Sequence, residues 1–157
     1  MNEQSLFGRF HDSPLLKKLV DGILMSSSQN LPAQFFLQNL HGSSAAFIIE
    51  AIFKNEATAN LNHLVVLNDA EEAAYFFNSV ESVTEAMDLF YFPSSFKTPQ
   101  NFNLLNPSHV MLRTEALTKI SMGGNKKIIV SYPEAIFEKV ILPKTLQQNI
   151  IDRKSTR

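Results

Sequence analysis

The chain has 157 residues, 45% hydrophobic and 18% charged, which is typical of a folded domain with one core and excludes a disordered chain. Its 14 Lys plus Arg against 15 Asp plus Glu give a net charge of −1, which excludes a general positive field that would attract nucleic acid. The absence of Cys excludes disulfides, thiol nucleophiles and thiolate metal sites.

Residues 1–12 are predicted to form an N-terminal tail. The opening stretch "MNEQSLFGRFHDS" has no basic region followed by an apolar region, so we expect no secretory signal. No apolar run in the chain approaches the roughly 20 residues that a membrane-spanning helix needs. The sequence therefore predicts a cytoplasmic protein without membrane contact.

The first predicted helix begins at Ser13-Pro14, where a capping residue precedes a proline at the first helical position. It continues through "LLKKLVDGIL" and is expected to end near residues 22–25, before a linker "SSSQNLP". The following stretch "AQFFLQNL", residues 33–40, has the composition of a buried strand. We expect Phe35 and Phe36 within it to lie in the core.

A glycine turn and an apolar helix follow this predicted strand. Gly42 marks the turn, and the helix predicted over about residues 44–55 has so little polar surface that it should pack on a sheet. The next stretch, "LNHLVVLND" at residues 61–69, is typical of a parallel strand covered on both faces. A second buried strand is therefore predicted here.

A capping box at Asp69 and Glu72 predicts the start of the next helix, which runs through about Glu81. Asp69 could also bind a metal ion at the end of its strand, but the capping role explains it more simply. "DLFYFPS" is predicted to be a third strand, and a loop with two prolines follows over residues 94–107.

Asn106-Pro107 opens a predicted helix through "HVMLRTEALTKI", which ends at Gly123-Gly124. "KKIIVSY" forms the fourth predicted strand, and Pro133 opens the short helix "PEAIFEKV". Strands that alternate with helices predict an α/β fold, with a parallel sheet of at least four strands and helices on both faces. Residues 13–143 are assigned to this domain, and residues 144–157 to the start of a linker in a truncated fragment.

The turn "HGSSAAF" is the main candidate for a binding site. A phosphate loop reads G-x-x-x-x-G-K-[ST], whose lysine and hydroxyl bind the phosphates and Mg²⁺. Here Gly42 remains, the second glycine is missing, and Ala45 and Ala46 stand where Lys-Thr would be. We expect a structural turn and no bound cofactor, although incidental anion binding assisted by Ser43 or Ser44 stays an alternative.

No catalytic or metal-binding residue is predicted elsewhere. The four histidines fall in different segments and lack metal-ligand spacing; they are His11, His41, His63 and His109. No G-x-S-x-G motif accompanies a serine, and Glu134 occupies a helix start where a carboxylate is favourable without catalysis. The chain therefore specifies no acid/base pair.

The aromatic residues of the loop at 94–107 and the basic residues at the end of the chain could each contact a partner or have no binding role. Phe96 and Phe102 lie on the proline-bearing loop, where they either contact a partner or fold back over the sheet edge. The basic residues at the end of the chain, Arg153, Lys154 and Arg157, are expected to form a solvated tail rather than a nucleic-acid site.

The order and spacing of five segments indicate a known family. These segments are "LHGSSAAFIIEAIF", "HLVVLNDAEEAAYFFNSV", "FYFPSSFKTP", "VMLRTEALTKI" and "IIVSYPEAIFEKV". Together they resemble the N-terminal, UvrB-like domain of bacterial transcription-repair coupling factors (the Mfd family), over about Ser13 to Pro143. The resemblance implies a RecA-like α/β domain with a degenerate nucleotide site.

The family acts in transcription-coupled nucleotide excision repair. The resemblance implies that the full-length protein is a helicase-like DNA translocase that uses ATP and Mg²⁺ in motor domains elsewhere in the chain. Those other domains would contact RNA polymerase and DNA, and the domain adjoining this one would contact UvrA. For this fragment the resemblance implies a non-catalytic role that supports UvrA recruitment and autoinhibition.

Two departures from UvrB favour the coupling factor. UvrB carries an intact phosphate loop, whereas this sequence has the shortened form at residues 42–46. UvrB also inserts a tyrosine-rich hairpin that clamps DNA, whereas the loop at residues 94–107 contains no tyrosine. Two alternatives remain: an NTPase with an unusual phosphate loop, and a free-standing peptide-binding adaptor that uses Phe96 and Phe102.

Overall fold

The computed structural model describes residues 10, 12–84, 88–96, 104–124 and 126–140. The chain divides into two compact units. Unit 1 comprises Met1–His63, Ala74–Leu89 and Asn125–Ile128, and unit 2 comprises Leu64–Ala73, Phe90–Gly124 and Ile129–Arg157.

Helix α1 of unit 1 spans Pro14–Gln29. It begins where the sequence predicts, but it ends later, at Asn30, which has a left-handed φ of 53°. Gly22 lies inside the helix, where its missing side chain leaves room for a ring: a Cβ there would lie 2.6 Å from a ring carbon of Phe35. Residues 26–29, predicted as linker, are therefore helical.

Unit 1 has a helical core. Helix α2 spans Ser44–Lys54 and is followed by a 3-10 turn at Glu56–Thr58. The buried residues of this core are Leu16 and Val20 on α1 and Ala51 and Ile52 on α2. The apolar stripe of α1 packs on this helix, and Phe53 near its end contacts the ring of His63. That the helix packs on a sheet stays a prediction.

The stretch at residues 33–40 is not a strand, contrary to the prediction from its composition. Asn39 has a left-handed φ of 60°, which interrupts the extended backbone that a strand needs. The phenylalanines expected in the core are also exposed, Phe35 at 45% and Phe36 at 83%. The apolar composition of this stretch therefore produces an exposed surface instead of a buried strand.

A sheet of three strands is present in the described part of the chain. The strands are β1 at His63–Val66, β2 at Leu89–Tyr91 and β3 at Ile128–Ser131, in the order β1-β3-β2. They are parallel: the Leu67 N–H donates to Ser131 O, and the Phe92 N–H donates to Val130 O, each at 2.9 Å. The α/β class is confirmed, with three strands rather than the four predicted, because residues 33–40 do not join the sheet.

The strand β1 has an exposed face, contrary to the expectation that both of its faces are covered. Leu64 is 59% exposed and Val66 is 49% exposed, while the alternate residues are half-buried. This alternation is the pattern of a strand with one covered face, and β1 lies at the edge of the described sheet. The apolar core of unit 2 lies instead at Phe90, Phe92 and Ala116, with Leu117 and Ile129 packed against it.

The predicted helix starts are confirmed. The remaining helices are α3 at Ala70–Val83, α4 at Pro107–Ser121 and α5 at Pro133–Phe137. The Glu72 N–H donates to Asp69 Oδ1 at 2.8 Å, as the capping box requires, and the Ser108 N–H donates to Asn106 Oδ1 at 3.2 Å. Within the described residues, no helix is long and apolar enough to cross a membrane.

Candidate functional site

The carboxyl ends of parallel strands are the usual place for a ligand in an α/β fold. In unit 2 a buried guanidinium lies beside the segment that follows β2. Arg113 on α4, only 5% exposed, donates from Nη1 to Pro93 O at 3.0 Å and to Ala135 O at 2.9 Å. Its Nη2 donates to Glu138 O at 3.1 Å. One side chain therefore joins the segment after β2 to the helix that follows β3.

The carboxylate of Glu138 completes this arrangement. Its Oε1 lies 3.5 Å from Arg113 Nε, and its Oε2 accepts hydrogen bonds from Ser94 Oγ at 2.9 Å and the Ser95 N–H at 2.8 Å. Burial alone would raise the pKa of Glu138, but these hydrogen bonds and the charge of Arg113 outweigh it and hold the pKa below its usual value. The carboxylate is thus kept ionised as a structural acceptor.

Tyr132 and His109 fix the same segment from two further directions. The Ser94 N–H donates to Tyr132 Oη at 2.8 Å, and His109 Nδ1 lies 3.0 Å from Ser94 O. Burial raises the pKa of the Tyr132 hydroxyl, so the hydroxyl stays protonated at neutral pH. Burial likewise lowers the pKa of Arg113, whose guanidinium lies 4.0 Å from the centre of the Phe92 ring.

This Arg113 cluster, defined as Ser94, Arg113, Tyr132 and Glu138, uses its polar groups for internal contacts. The carboxylate, the guanidinium and the phenol each bond to other groups of unit 2. These residues belong to no recognisable sequence motif. A signal existed in the helical register, because Arg113 lies three positions before Ala116 and shares its buried face.

The candidate phosphate loop lies in unit 1. Gly42 has a left-handed φ of 55°, and the hydroxyl of Ser44 exchanges hydrogen bonds with the backbone of His41. Ser43, at the cap position of α2, makes no capping hydrogen bond through its side chain. Ala46 is 1% exposed and faces the core. The loop is thus a local turn at a helix start, and residues 12–41 before it contain no strand.

The aromatic loop is described only in part. Phe96 is half-buried and forms an isolated antiparallel bridge with Leu105, while its N–H donates to Ser94 Oγ at 3.3 Å. Phe102 lies outside the described residues. Contact of these two rings with a partner stays a prediction.

His63 and Glu50 make contacts within unit 1. His63 lies edge-on to Phe53 with ring centres 6.1 Å apart, and burial lowers its pKa. Glu50, 1% exposed on α2, has its Oε1 2.7 Å from Lys54 Nζ. His41 is exposed, and His11 is outside the described part. Within that part, no group of three or more His, Asp or Glu side chains could hold a metal ion.

The chain is similar to part of a known protein. The chain is 28% identical over 87 residues to the transcription-repair-coupling factor of Rickettsia typhi. The match covers 52% of this chain and 7% of that protein, so the similarity concerns a small part of a much longer relative. No family model matches the sequence, and no solved structure matches it significantly.

Proposed function

We propose that the chain is a non-catalytic, RecA-like domain of a transcription-repair coupling factor. Its role is to support recruitment of UvrA through an adjoining domain and to keep that domain masked until translocation begins. ATP-driven translocation, which uses Mg²⁺, and the contacts with RNA polymerase and DNA belong to other domains of the full-length, cytoplasmic protein. The similarity to the Rickettsia typhi protein and the order of the five resembling segments support this assignment.

The loop at residues 42–46 supports the non-catalytic part of the proposal. Binding of a nucleoside triphosphate needs a cation and a magnesium-binding hydroxyl at the positions that Ala45 and Ala46 occupy. The core position of Ala46 leaves it unable to approach a phosphate, and the hydroxyl of Ser44 is engaged with His41. The N–H groups at the start of α2 can attract an anion, but they do not replace the lysine and the magnesium-binding hydroxyl of a phosphate loop.

Nucleotide binding provides the first test. A fluorescent ATP analogue is titrated with the chain in the presence of Mg²⁺, and we expect no saturable binding in the micromolar range. Gly42→Val is the matched variant, because it changes the loop backbone while leaving α2 in place. Micromolar binding that this variant abolishes would replace the proposal with an NTPase domain.

UvrA binding provides the second test. We expect UvrA to be retained by a longer protein that includes the adjoining domain, and to be retained better when the motor domains are deleted. The present chain alone should retain little UvrA, since the contact is assigned to its neighbour. Equal retention with and without the motor domains would remove autoinhibition from the proposal.

A further inference from the structure

The outer edge of β1 has backbone groups that find no strand partner among the residues that the structure describes. The Leu67 N–H donates to Ser131 O on the side of β3, and the direction of hydrogen bonding alternates along a strand. Leu64 and Val66 therefore direct their N–H and C=O groups away from β3. Among the described residues, no strand lies beyond β1. An unpaired edge of this kind can accept another extended backbone.

The side chains of this edge favour the same partner. Leu64 and Val66 point to one face and are 59% and 49% exposed, which leaves two adjacent apolar side chains in solvent. Edge strands are commonly protected by a charge or a proline, but "LVVL" at residues 64–67 contains neither. An added strand would cover these side chains with its own apolar residues at alternate positions.

The charges at the end of β1 indicate the sign of the partner. Residues 64–73 contain three carboxylates and no basic residue, and all three acidic residues are exposed: Asp69, Glu71 and Glu72. Asp69 and Glu72 accept hydrogen bonds as caps, from Glu72 N and Asn68 N respectively, so both carboxylates are held at the start of α3. A basic residue in the partner would balance this field.

We propose that the edge of β1 binds an extended segment of another polypeptide, with apolar residues at alternate positions and Lys or Arg beside Asp69 and Glu71. A helix fits poorly, because its own backbone groups are already bonded. A second copy of this chain fits less well, because its own β1 segment, residues 64–73, brings no cation to these carboxylates. The proposal is independent of the assignment to a coupling factor.

Peptide binding tests the proposal. The probe is a labelled peptide of about eight residues, the length of an ordinary strand, that alternates Val and Thr and ends in Lys. The comparison peptides carry Glu in place of Lys, or a central proline. We expect saturable binding of the Lys peptide below about 1 mM, with binding reduced roughly fivefold for the Glu peptide, as for one exposed ion pair, and lost for the proline peptide.

Variants of the chain locate the site. Val66→Pro removes an outward N–H without removing a bond to β3, and it should abolish binding. Glu71→Lys should weaken binding of the Lys peptide severalfold, whereas Glu81→Lys, an exposed change elsewhere on α3, should leave it unchanged. The amide signals of Leu64 and Val66 should shift on binding and become protected from exchange; these signals also serve if Val66→Pro does not fold.

Three outcomes would overturn the proposal. The first is the absence of saturable binding of the Lys peptide below that concentration. The second is equal binding of the proline peptide, since that would show contact through side chains alone. The third is a dimer in sedimentation experiments that Val66→Pro dissociates, since that would assign the edge to a second copy of this chain.

Discussion

The two units differ in how their loops are held. In unit 2 the segment after β2 is fixed by side chains from other elements, with Arg113, Tyr132 and Glu138 bonded to it. In unit 1 the loop at Gly42 is held by contacts within four residues, chiefly between His41 and Ser44. Arginine, tyrosine and glutamate are residue types common in active sites, but in unit 2 they support a loop. The loop of unit 1 resembles a phosphate loop in sequence, but it lacks the lysine and the hydroxyl that bind phosphate and Mg²⁺.

The largest expected effect is at the centre of unit 2. Arg113→Ala removes the donor to three carbonyl oxygens and leaves the Glu138 carboxylate without its cation. We expect the free energy of unfolding to fall by about 3–5 kcal/mol, the range for breaking a buried ion pair. Urea unfolding followed by circular dichroism measures it. Lys119→Ala, an exposed cation on the same helix, should change stability by less than about 0.5 kcal/mol.

The matching change in unit 1 is Ile52→Ala. Ile52 is 5% exposed in the helical core, so its truncation should leave a cavity and cost about 2–4 kcal/mol. The same unfolding experiment measures this loss, with Leu15→Ala as the control because Leu15 is 77% exposed. Equal effects of the two substitutions would contradict the assigned core.

The hydroxyl of Tyr132 allows the stabilising effect of a hydrogen bond in unit 2 to be measured apart from that of ring packing. Tyr132→Phe removes the acceptor of the Ser94 N–H while preserving the ring, and it should cost about 1–2 kcal/mol. Tyr75→Phe is the control, because Tyr75 is 75% exposed. If both variants are as stable as the parent chain, the polar contact at Ser94 contributes little.

Substitution in the Gly42 loop of unit 1 should lower the free energy of unfolding less than the substitutions in the two cores. Gly42→Ala places a side chain at a φ of 55°, where nothing lies within 4 Å of the new Cβ, so the cost is backbone strain alone. We expect a loss of about 1 kcal/mol, as is usual for a non-glycine residue in the left-handed region. A loss of several kcal/mol would show that the loop is held by contacts beyond residues 41–44.

Mild acid should distinguish the units by the pH at which each responds. Burial lowers the pKa of His63 in unit 1 from 6.5, so its stabilising contribution is present above pH 6.5 and is lost as pH falls below that value. The lowered pKa of Glu138 in unit 2 gives a contribution that is present above pH 4.5 and lost further into acid. His63→Gln should flatten the profile between pH 7.5 and 5.5 and leave the acid limb unchanged.

Local signals in the sequence predicted most of the elements. Capping residues and prolines at Ser13-Pro14, Asp69 and Asn106-Pro107 placed helix starts correctly, because these signals act within one turn. The strand predicted at residues 33–40 was wrong, because apolar composition does not fix backbone dihedrals and Asn39 adopts a left-handed one. The edge position of β1 was also missed, since it depends on which strands pair.

For the candidate phosphate loop, the sequence alone shows that the lysine and the hydroxyl of the motif are missing. The alanines at residues 45–46 could be recognised from the sequence alone, and the structure adds that Ala46 faces the core. The role of Arg113 could not be deduced, because its partners are backbone carbonyls, which every residue has. Only the tertiary fold determines which of them meet one guanidinium.

The hydrogen bonds of Arg113 also have a consequence for folding kinetics. Its three carbonyl partners lie 20, 22 and 25 positions away along the chain, on both sides of α4. Loops of this length close at a modest entropic cost, so such contacts can form early. We therefore expect the stretch from Pro93 to Glu138 to assemble early during refolding, and substitution of Arg113 to slow refolding as well as to speed unfolding.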